Sequence, residues 1–385
     1  GFISVRPGDA TGAPSTSNLN VFPGDIVPNQ VTVAIPTSGV NKGQIDITYS
    51  SAPGNTVDLV ADIVGYTTNT GLLDLVNRVT TLETEGVAGP AGAPGVAGVD
   101  AESPARVVWV ADDSTGDYLL LSAALAAITD AGVNKPYVIK IAPGIYTETA
   151  SVVLKDYVDV EGSGQDITTI ECACSSNNFD SSAAVISATA ITAEIRHLTI
   201  NNTGGGYNGY GLYTNGVPNG SFSMLHVTAT ATGSNYNSGV RNSSSSPTMN
   251  NVTATATTAA GGVESYGVYN FLSSPTMNNV TATATGGNTS YGVADIGSSQ
   301  TTMNNVTATA TGGAVNNYGV FKTGSSQTTI RNSSITGGTK SISNSNTSSA
   351  QVADTMLDGS VEPGGGLACV GVYTTAFVAL DFACV

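Results

Sequence analysis

Charged side chains are scarce in this sequence. Only 10% of its 385 residues are Asp, Glu, Lys or Arg, against about a quarter in an average soluble protein. Acidic residues outnumber basic ones by 28 to 12, so the formal net charge is −16 at pH 7. Because an acidic surface repels phosphate backbones and anionic lipids, the composition argues against binding to nucleic acids or to anionic membranes.

Cysteine is also rare, and no apolar run reaches the length that crosses a membrane. The four cysteines form two local pairs, Cys172 with Cys174 and Cys369 with Cys384. The second pair is predicted to form a disulfide in an oxidising compartment. The tight Cys-x-Cys spacing leaves the first pair either free or bridged under strain.

Candidate metal ligands are few. A site at Cys172 and Cys174 would need two more ligands, and only His197 and His226 are available in the chain. A small acid cluster gives a second, weak candidate with calcium affinity; it comprises Asp112, Asp113 and Asp117. A solvated turn ahead of the capping helix is the favoured interpretation of this cluster, so no cofactor or metal is predicted.

The chain does contain an internal repeat between Ile195 and Ile335. Successive copies are marked by methionines at steps of 25, 28 and 26 residues, at Met224, Met249, Met277 and Met303. A period of this length is typical of a solenoid. Each copy continues as Val-Thr-Ala-Thr-Ala-Thr, which predicts Val and Ala facing the core and Thr facing outward. The prediction is an all-β protein whose residues 104–350 form a right-handed parallel β-helix.

The repeat also predicts columns of identical side chains. The methionines should form one inward column, and a second should contain Val227, Val252, Val280 and Val306. Asn251, Asn279 and Asn305 should stack at a bend, where Asn tolerates left-handed backbone and its amides bond along the column. The Asn-Val-Thr triplets also match the glycosylation pattern, so attached sugar is the alternative.

A second phrase, centred on glycine, repeats at the same period. One position before the glycine stand Tyr210, Ser238, Tyr266, Tyr291 and Tyr318; two positions after it stand Tyr213, Arg241, Tyr269, Ala294 and Phe321. One aromatic column is expected in the core and the other outside. We predict that Tyr213, Arg241, Tyr269 and Phe321 face outward, where they suit sugar rings or a subunit interface. Scattered surface aromatics are the alternative.

The position after this column carries Asp295 and Lys322 on adjacent rungs. They are predicted to be solvent-exposed, either as a weak ion pair or as two separately solvated side chains. The other acid in the repeat region, Glu264, occupies a different column.

The first 68 residues contain strand-like runs between Pro and Gly turns. The runs are Phe2–Val5, Gln30–Ile35, Gln44–Tyr49 and Val57–Val64. Through Gly1–Pro7, Thr16–Asn20, Gly24–Asn29 and Asp58–Tyr66, the region resembles a β-module common in bacterial secreted and cell-surface proteins. The resemblance implies a small sandwich-like module at the cell surface. Because the family usually has further upstream strands, Phe2–Val5 or Val57–Val64 is predicted to be an unpaired edge.

Residues 69–103 carry two trimerisation signals. Residues 69–85 predict a short coiled-coil helix with a seam of Leu72, Leu75, Val79 and Leu82. Residues 86–103 predict a collagen-like neck, with Gly86, Gly89, Gly92, Gly95 and Gly98 at every third position. Together they predict a homotrimer; a flexible Gly/Ala/Pro linker is the alternative.

The β-helix is predicted to open with an amphipathic capping helix at Tyr118–Ala131. This region resembles the pectin-lyase-like superfamily, and pectinesterases in particular, through Asp113–Tyr118, Ala123–Ala131, Ile139–Glu148 and Asp159–Gly164. The resemblance implies a right-handed parallel β-helix. The Gln-Asp element, the Gly-Val-Asp-Phe context and the neighbouring Arg of pectinesterases are absent, so no catalytic residue is predicted.

Residues 351–385 are predicted to close the solenoid or to donate a strand to a neighbouring chain. They resemble the ends of other bacterial secreted β-helix proteins. Donation of Leu367–Val385 to an unpaired N-terminal edge would build a head-to-tail filament.

These features predict an extracellular or cell-surface bacterial protein that is structural or adhesive and not an enzyme. Its expected partners are copies of itself, in a homotrimer or filament, and surface glycans. Two alternatives remain: a phage tail spike or fibre that binds host glycans, and a carbohydrate-active enzyme of pectin-degrading type with an unrecognised site.

Overall fold

The computed structural model describes residues 1–62, 106–345 and 347–384. They belong to two compact units, an N-terminal unit and a much larger β-helical unit. The predicted coil seam Leu72–Leu82 and the glycine triplets Gly86–Gly98 lie outside the described residues. Within the part that is described, no helix has the length and apolar character needed to cross a membrane.

The N-terminal unit contains a three-stranded antiparallel sheet in the order β2-β1-β3. Its strands are β1 (Phe2–Pro7), β2 (Leu19–Asn20) and β3 (Ile45–Ser50). Two predictions are wrong here, because Gln30–Ile35 and Val57–Asp62 are not strands. Their side chains are largely exposed, and neither run pairs with a strand of the three-stranded sheet. The predicted edge at Phe2–Val5 is also wrong, since β1 pairs on both sides.

The second unit is a right-handed parallel β-helix of about nine turns, as the repeat predicts. Its first strands are β4 (Arg106–Val110), β5 (Tyr137–Ile141), β6 (Gly144–Thr147), β7 (Val152–Val153), β8 (Val158–Gly162), β9 (Thr168–Cys172) and β10 (Ala184–Thr189). The central strands are β11 (Ala193–Asn202), β12 (Asn208–Asn215), β13 (Phe222–Thr232), β14 (Tyr236–Ser243), β15 (Thr248–Thr258), β16 (Glu264–Phe271), β17 (Thr276–Asn278), β18 (Thr281–Gly286) and β19 (Thr289–Ile296). The last are β20 (Gln300–Asn304), β21 (Thr307–Thr311), β22 (Asn316–Lys322), β23 (Gln327–Arg331), β24 (Ser334–Asn344), β25 (Ser349–Ala353), β26 (Met356–Glu362), β27 (Leu367–Val370) and β28 (Tyr373–Thr374).

Each turn contributes to three parallel sheets. Sheet A contains the Met strands, such as β17 and β20; sheet B contains the Thr-Ala-Thr strands, such as β18 and β21. Sheet C contains β10 and the Gly-centred strands β12, β14, β16, β19 and β22. Longer strands such as β13 and β15 run from sheet A through the bend into sheet B.

The predicted inward columns are confirmed. Met224, Met249, Met277 and Met303 pair in register and are fully buried, and the Val column lies beside them with at most 1% exposure. The alternate Thr residues face outward on sheet B. The Ala residues that alternate with them face the interior, and their small side chains let the sheets approach closely.

The bend between sheets A and B is an asparagine ladder, as predicted. Asn251, Asn279 and Asn305 have φ of 53°, 54° and 55°. The Asn279 amide donates to Asn251 over 3.1 Å, and the Asn305 amide donates to Asn279 over 2.6 Å. His197 and His226 continue the column with positive φ and stack at 5.0 Å.

The capping helix is shorter than predicted. Helix α1 spans Leu121–Ala127 and buries Leu121, Ala124 and Leu125. Tyr118 cannot be helical because its backbone forms hydrogen bonds with Trp109 in strand β4 and with Ala111 directly after that strand. The residue after the helix, Ile128, is extended.

The parallel ladder continues beyond the predicted boundary at residue 350. Strand β27 pairs with β25, and β28 pairs with β26. Within this chain β27 and β28 therefore pair with the preceding rungs, and donation of the segment to a neighbouring chain stays a prediction. Cys369 is bonded to Cys384 and closes this end.

Candidate functional site

The most distinctive surface lies on the outer side of sheet C. We call it the aromatic face. It consists of Tyr210, Tyr213, Arg241, Tyr266, Tyr269, Tyr291, Tyr318 and Phe321, with Phe179 added from the loop between β9 and β10. Sequence analysis placed one aromatic column inside and one outside, and that is wrong: both columns lie on this face.

The reason is a bend at the glycine of each rung. Across sheet C the register pairs Tyr266 with Tyr291 and Val268 with Val293, but the glycines between them do not pair. A Cβ on Gly267 would lie 2.5 Å from the Gly292 carbonyl oxygen and 2.7 Å from the Thr283 nitrogen. The glycine and the following valine therefore both point inward, because only a residue without a side chain fits against sheet B. The residues on either side of that pair consequently point outward.

Rings on successive rungs stack along this face. The ring centroids of Tyr266 and Tyr291 are 4.8 Å apart with planes 7° from parallel. Tyr291 and Tyr318 continue the stack at 5.6 Å, and Phe321 lies 5.1 Å from Tyr291. Tyr269, Tyr291, Tyr318 and Phe321 are half-buried, so part of each ring is available to a ligand.

The other end of the face is more enclosed than predicted. Tyr213 is only 6% exposed and Arg241 only 9%, whereas both were expected at the open surface. The guanidinium carbon of Arg241 lies 4.0 Å from the ring centroid of Tyr269 and 5.1 Å from those of Tyr210 and Phe179. Phe179 has no periodic position in the repeat, so no sequence signal predicted its contribution.

Glu264 is the acidic group of this face. The hydroxyl of Tyr266 donates to its carboxylate over 2.5 Å, and that of Tyr291 donates over 3.4 Å. Burial raises the pKa of the Tyr266 phenol well above its usual value, and the Glu264 charge adds to the shift. Both phenols therefore remain neutral donors at physiological pH.

Asp295 and Lys322 are fully buried, which contradicts the predicted exposed pair. They belong to an interior polar column on sheet C, where Thr214 donates to Asn242, Asn242 to Asn270, and Asn270 to Asp295. Asp295 also accepts hydrogen bonds from Thr301 and Thr328. The Lys322 ammonium donates to the carbonyl groups of Ser326 and Ser349. Because every charge here is inside, this column is structural.

A second polar cluster lies on the outer side of sheet A. Arg196 donates to Glu194 over 2.5 Å and to Glu161 over 2.8 Å, and Lys140 contacts Glu161 at 3.2 Å. Burial raises the Glu161 pKa, but hydrogen bonds from Arg196 and Lys140 outweigh it and the net shift is downward. Burial raises the pKa of neighbouring Asp159.

Four of the candidate metal ligands, Cys172, Cys174, Asp113 and Asp117, have other partners. Cys172 and Cys174 form a disulfide with their Cα atoms 5.1 Å apart. The Asp113 carboxylate accepts from the Thr115 backbone and hydroxyl, and Asp117 accepts from the Trp109 backbone. Among the residues that the structure describes, no three His, Cys, Asp or Glu side chains converge on a common point.

The fold defines the class of protein, a right-handed parallel β-helix, and solved structures share it. The chain is similar to pectin methylesterase from carrot, with a TM-score of 0.52 and 16% identity over 70% of this chain and 90% of that one. Pectin methylesterase from Yersinia enterocolitica has a TM-score of 0.41 and 10% identity, over 69% of this chain and 93% of that one. The ORF18 protein of Geobacillus virus E2 has a TM-score of 0.38 and 12% identity, over 88% of this chain and 70% of that one. No protein-family description and no curated protein matches the sequence. At such identities the likeness shows the fold alone, which is the fold the sequence resemblance implied.

Proposed function

We propose that this protein is an extracellular, non-catalytic structural or adhesive β-helix that binds carbohydrate through its aromatic face. The observation that carries the proposal is the ladder of Tyr266, Tyr291 and Tyr318, extended by Phe321. Sugar rings present apolar C–H faces that pack on aromatic rings, while their hydroxyls need polar partners at the rim. A rigid row of rings one rung apart suits an extended polymer rather than a single compact molecule.

Location outside the cytoplasm is supported by the two disulfides, since such bonds persist in oxidising compartments. We further propose self-association through the coil and collagen-like segments. The molar mass of the purified chain, measured by light scattering, tests this part: three chain masses are expected, and a single chain mass contradicts it.

The binding proposal is tested by affinity gel electrophoresis against a panel of neutral and acidic polysaccharides. Tyr291→Ala combined with Phe321→Ala should abolish the retardation that the unaltered protein shows. The matched control replaces Tyr373 and Phe377 with Ala. These two rings stack on each other with their centroids 5.8 Å apart, and they do not belong to the aromatic face. Equal loss in the control, or no retardation by any polymer, would contradict the proposal.

A second candidate function, a carbohydrate-active enzyme, is favoured by the sheet A cluster of Asp159, Glu161, Glu194 and Arg196. Paired carboxylates with different proton affinities are the usual equipment of acid–base catalysis on sugars. The same polymers, assayed for released reducing sugar or methanol, separate the two functions. Turnover that disappears in Glu161→Gln but survives in the Tyr291/Phe321 variant would establish the enzyme instead.

A further inference from the structure

Arg241 is a nearly buried cation without a polar partner. It is 9% exposed, and its Nε atom is buried with no hydrogen-bond acceptor. The arginine ion pairs among the described residues belong to Arg6 and Arg196. The aromatic rings around Arg241 stabilise its charge through their faces, but a buried N–H group without an acceptor is costly, so the local fold leaves the hydrogen-bonding capacity of this arginine unused.

The side-chain contacts of Arg241 are with aromatic rings. Phe179, Tyr210 and Tyr269 surround the guanidinium at 4.0 to 5.1 Å. Rings pack against the flat faces of a guanidinium, while its N–H groups point outward along its edge. That edge matches the two oxygens of a carboxylate, which accept a pair of parallel hydrogen bonds.

A second unpartnered polar group lies beside it. The Tyr210 hydroxyl is fully buried and has no hydrogen-bond partner. The nearby carboxylates accept hydrogen bonds from other residues and not from Arg241 or Tyr210. Asp180 accepts hydrogen bonds from the backbone and hydroxyl of Ser182, and Glu264 accepts them from Tyr266 and Tyr291. Two neighbouring donors therefore lack an acceptor within the described residues, which is the arrangement expected of an anion-binding site.

We propose that Arg241 and Tyr210 bind the carboxylate of an acidic sugar, and that this sugar packs on the exposed ring of Phe179. The inference rests on the proposed function and names its ligand class: a glycan that carries carboxylate groups. Phe179 is 53% exposed and adjoins Arg241, so a sugar ring can contact it while its carboxylate reaches inward.

The net charge of −16 shapes the expected salt dependence. Long-range repulsion between the protein and an acidic glycan opposes encounter, and salt screens it over about 10 Å at 0.1 M. The contact at Arg241 is short and largely shielded from solvent. Added salt should therefore leave the affinity unchanged or raise it, unlike binding to a basic patch.

The test uses isothermal titration with two matched ligand pairs: sialyllactose against lactose, and hyaluronan against carboxyl-reduced hyaluronan. The protein is the full chain, unaltered or as Arg241→Met. The control is Arg331→Met, which removes the same charge from an exposed arginine on sheet A. We expect at least one acidic ligand to bind, with a tenfold or greater loss in Arg241→Met or without the carboxylate, and no change in the control.

The other outcomes each decide against a stated claim. Equal binding of acidic and neutral partners, unaffected by Arg241→Met but lost in the Tyr291/Phe321 variant, overturns the carboxylate site and leaves the proposed function intact. Arg241-dependent binding of dextran sulfate or polyphosphate, with no carboxylated ligand bound, overturns the ligand class. Absence of binding to every glycan overturns both. Thermal unfolding curves of the variants verify that each protein is folded.

Discussion

Two fully buried charges, Asp295 and Lys322, lie on adjacent rungs of the interior polar column. Asp295 accepts three side-chain hydrogen bonds, so its charge is well satisfied. Burial lowers the pKa of Lys322 to about 8, while the Asp295 charge partly opposes that shift. The protein thus holds a lysine whose proton is bound less tightly in the folded state than in the unfolded state.

This shift predicts a specific pH dependence of stability. Between about pH 8 and the ordinary lysine pKa of about 10.4, the unfolded chain binds a proton that the folded chain has released. The contribution of Lys322 to the free energy of unfolding should therefore rise with pH across this window, by on the order of 3 kcal/mol, and the difference between the unaltered protein and Lys322→Met isolates it from the titration of the buried tyrosines. Urea unfolding at pH 7.5, 9 and 10.5 measures it, and Lys322→Met should lack this rise. Equal pH slopes in the two proteins would contradict the assignment.

Individual side chains were predictable where the repeat copies them. Met277, Val280 and Asn279 recur at fixed positions, and identical residues on successive rungs must share one environment. The position of Lys322 was not predictable in this way, because its column changes residue type at nearly every rung. Its burial depends on the bend at Gly319, which reverses the expected alternation of inward and outward residues.

At the scale of the strand, stability depends on the division between inward Val and Ala and outward Thr. Val280 is 1% exposed, whereas its neighbour Thr281 is exposed at the start of strand β18. The contrast between these adjacent residues provides an internal control for the core.

Val280→Asp should lower the free energy of unfolding by about 3–5 kcal/mol, because it buries a carboxylate among apolar side chains. Thr281→Asp adds the same charge one residue away and should change stability by no more than about 0.5 kcal/mol. Chemical denaturation of both variants gives the comparison. Similar losses from the two substitutions would mean that the strand does not present these faces as described.

Elements without a repeat were predicted less well than those within it. The alternating run Gln30–Ile35 looked like a strand, but a strand persists only where another strand satisfies its backbone groups. The capping helix was predicted to be seven residues longer than α1, because the apolar pattern from Tyr118 to Ala131 does not reveal the backbone pairing of Tyr118 with strand β4.

At the scale of the whole molecule, a rigid β-helix presents one aromatic face. The sequence predicted the solenoid and four residues of this face, namely Tyr213, Arg241, Tyr269 and Phe321. It did not predict that both aromatic columns share a surface, nor that Phe179 encloses Arg241, because a loop residue without a period leaves no pattern. Binding and catalysis are proposed for different sheets, so the position of a bound ligand distinguishes the two functions.

The central claim is most directly tested by a crystal structure of the chain with an oligosaccharide cut from the polymer that it retains best. We predict sugar rings packed on Tyr291, Tyr318 and Phe321, with a carboxylate at Arg241. An oligosaccharide lying instead across Glu161, Glu194 and Arg196 on sheet A would contradict the account and favour an enzyme.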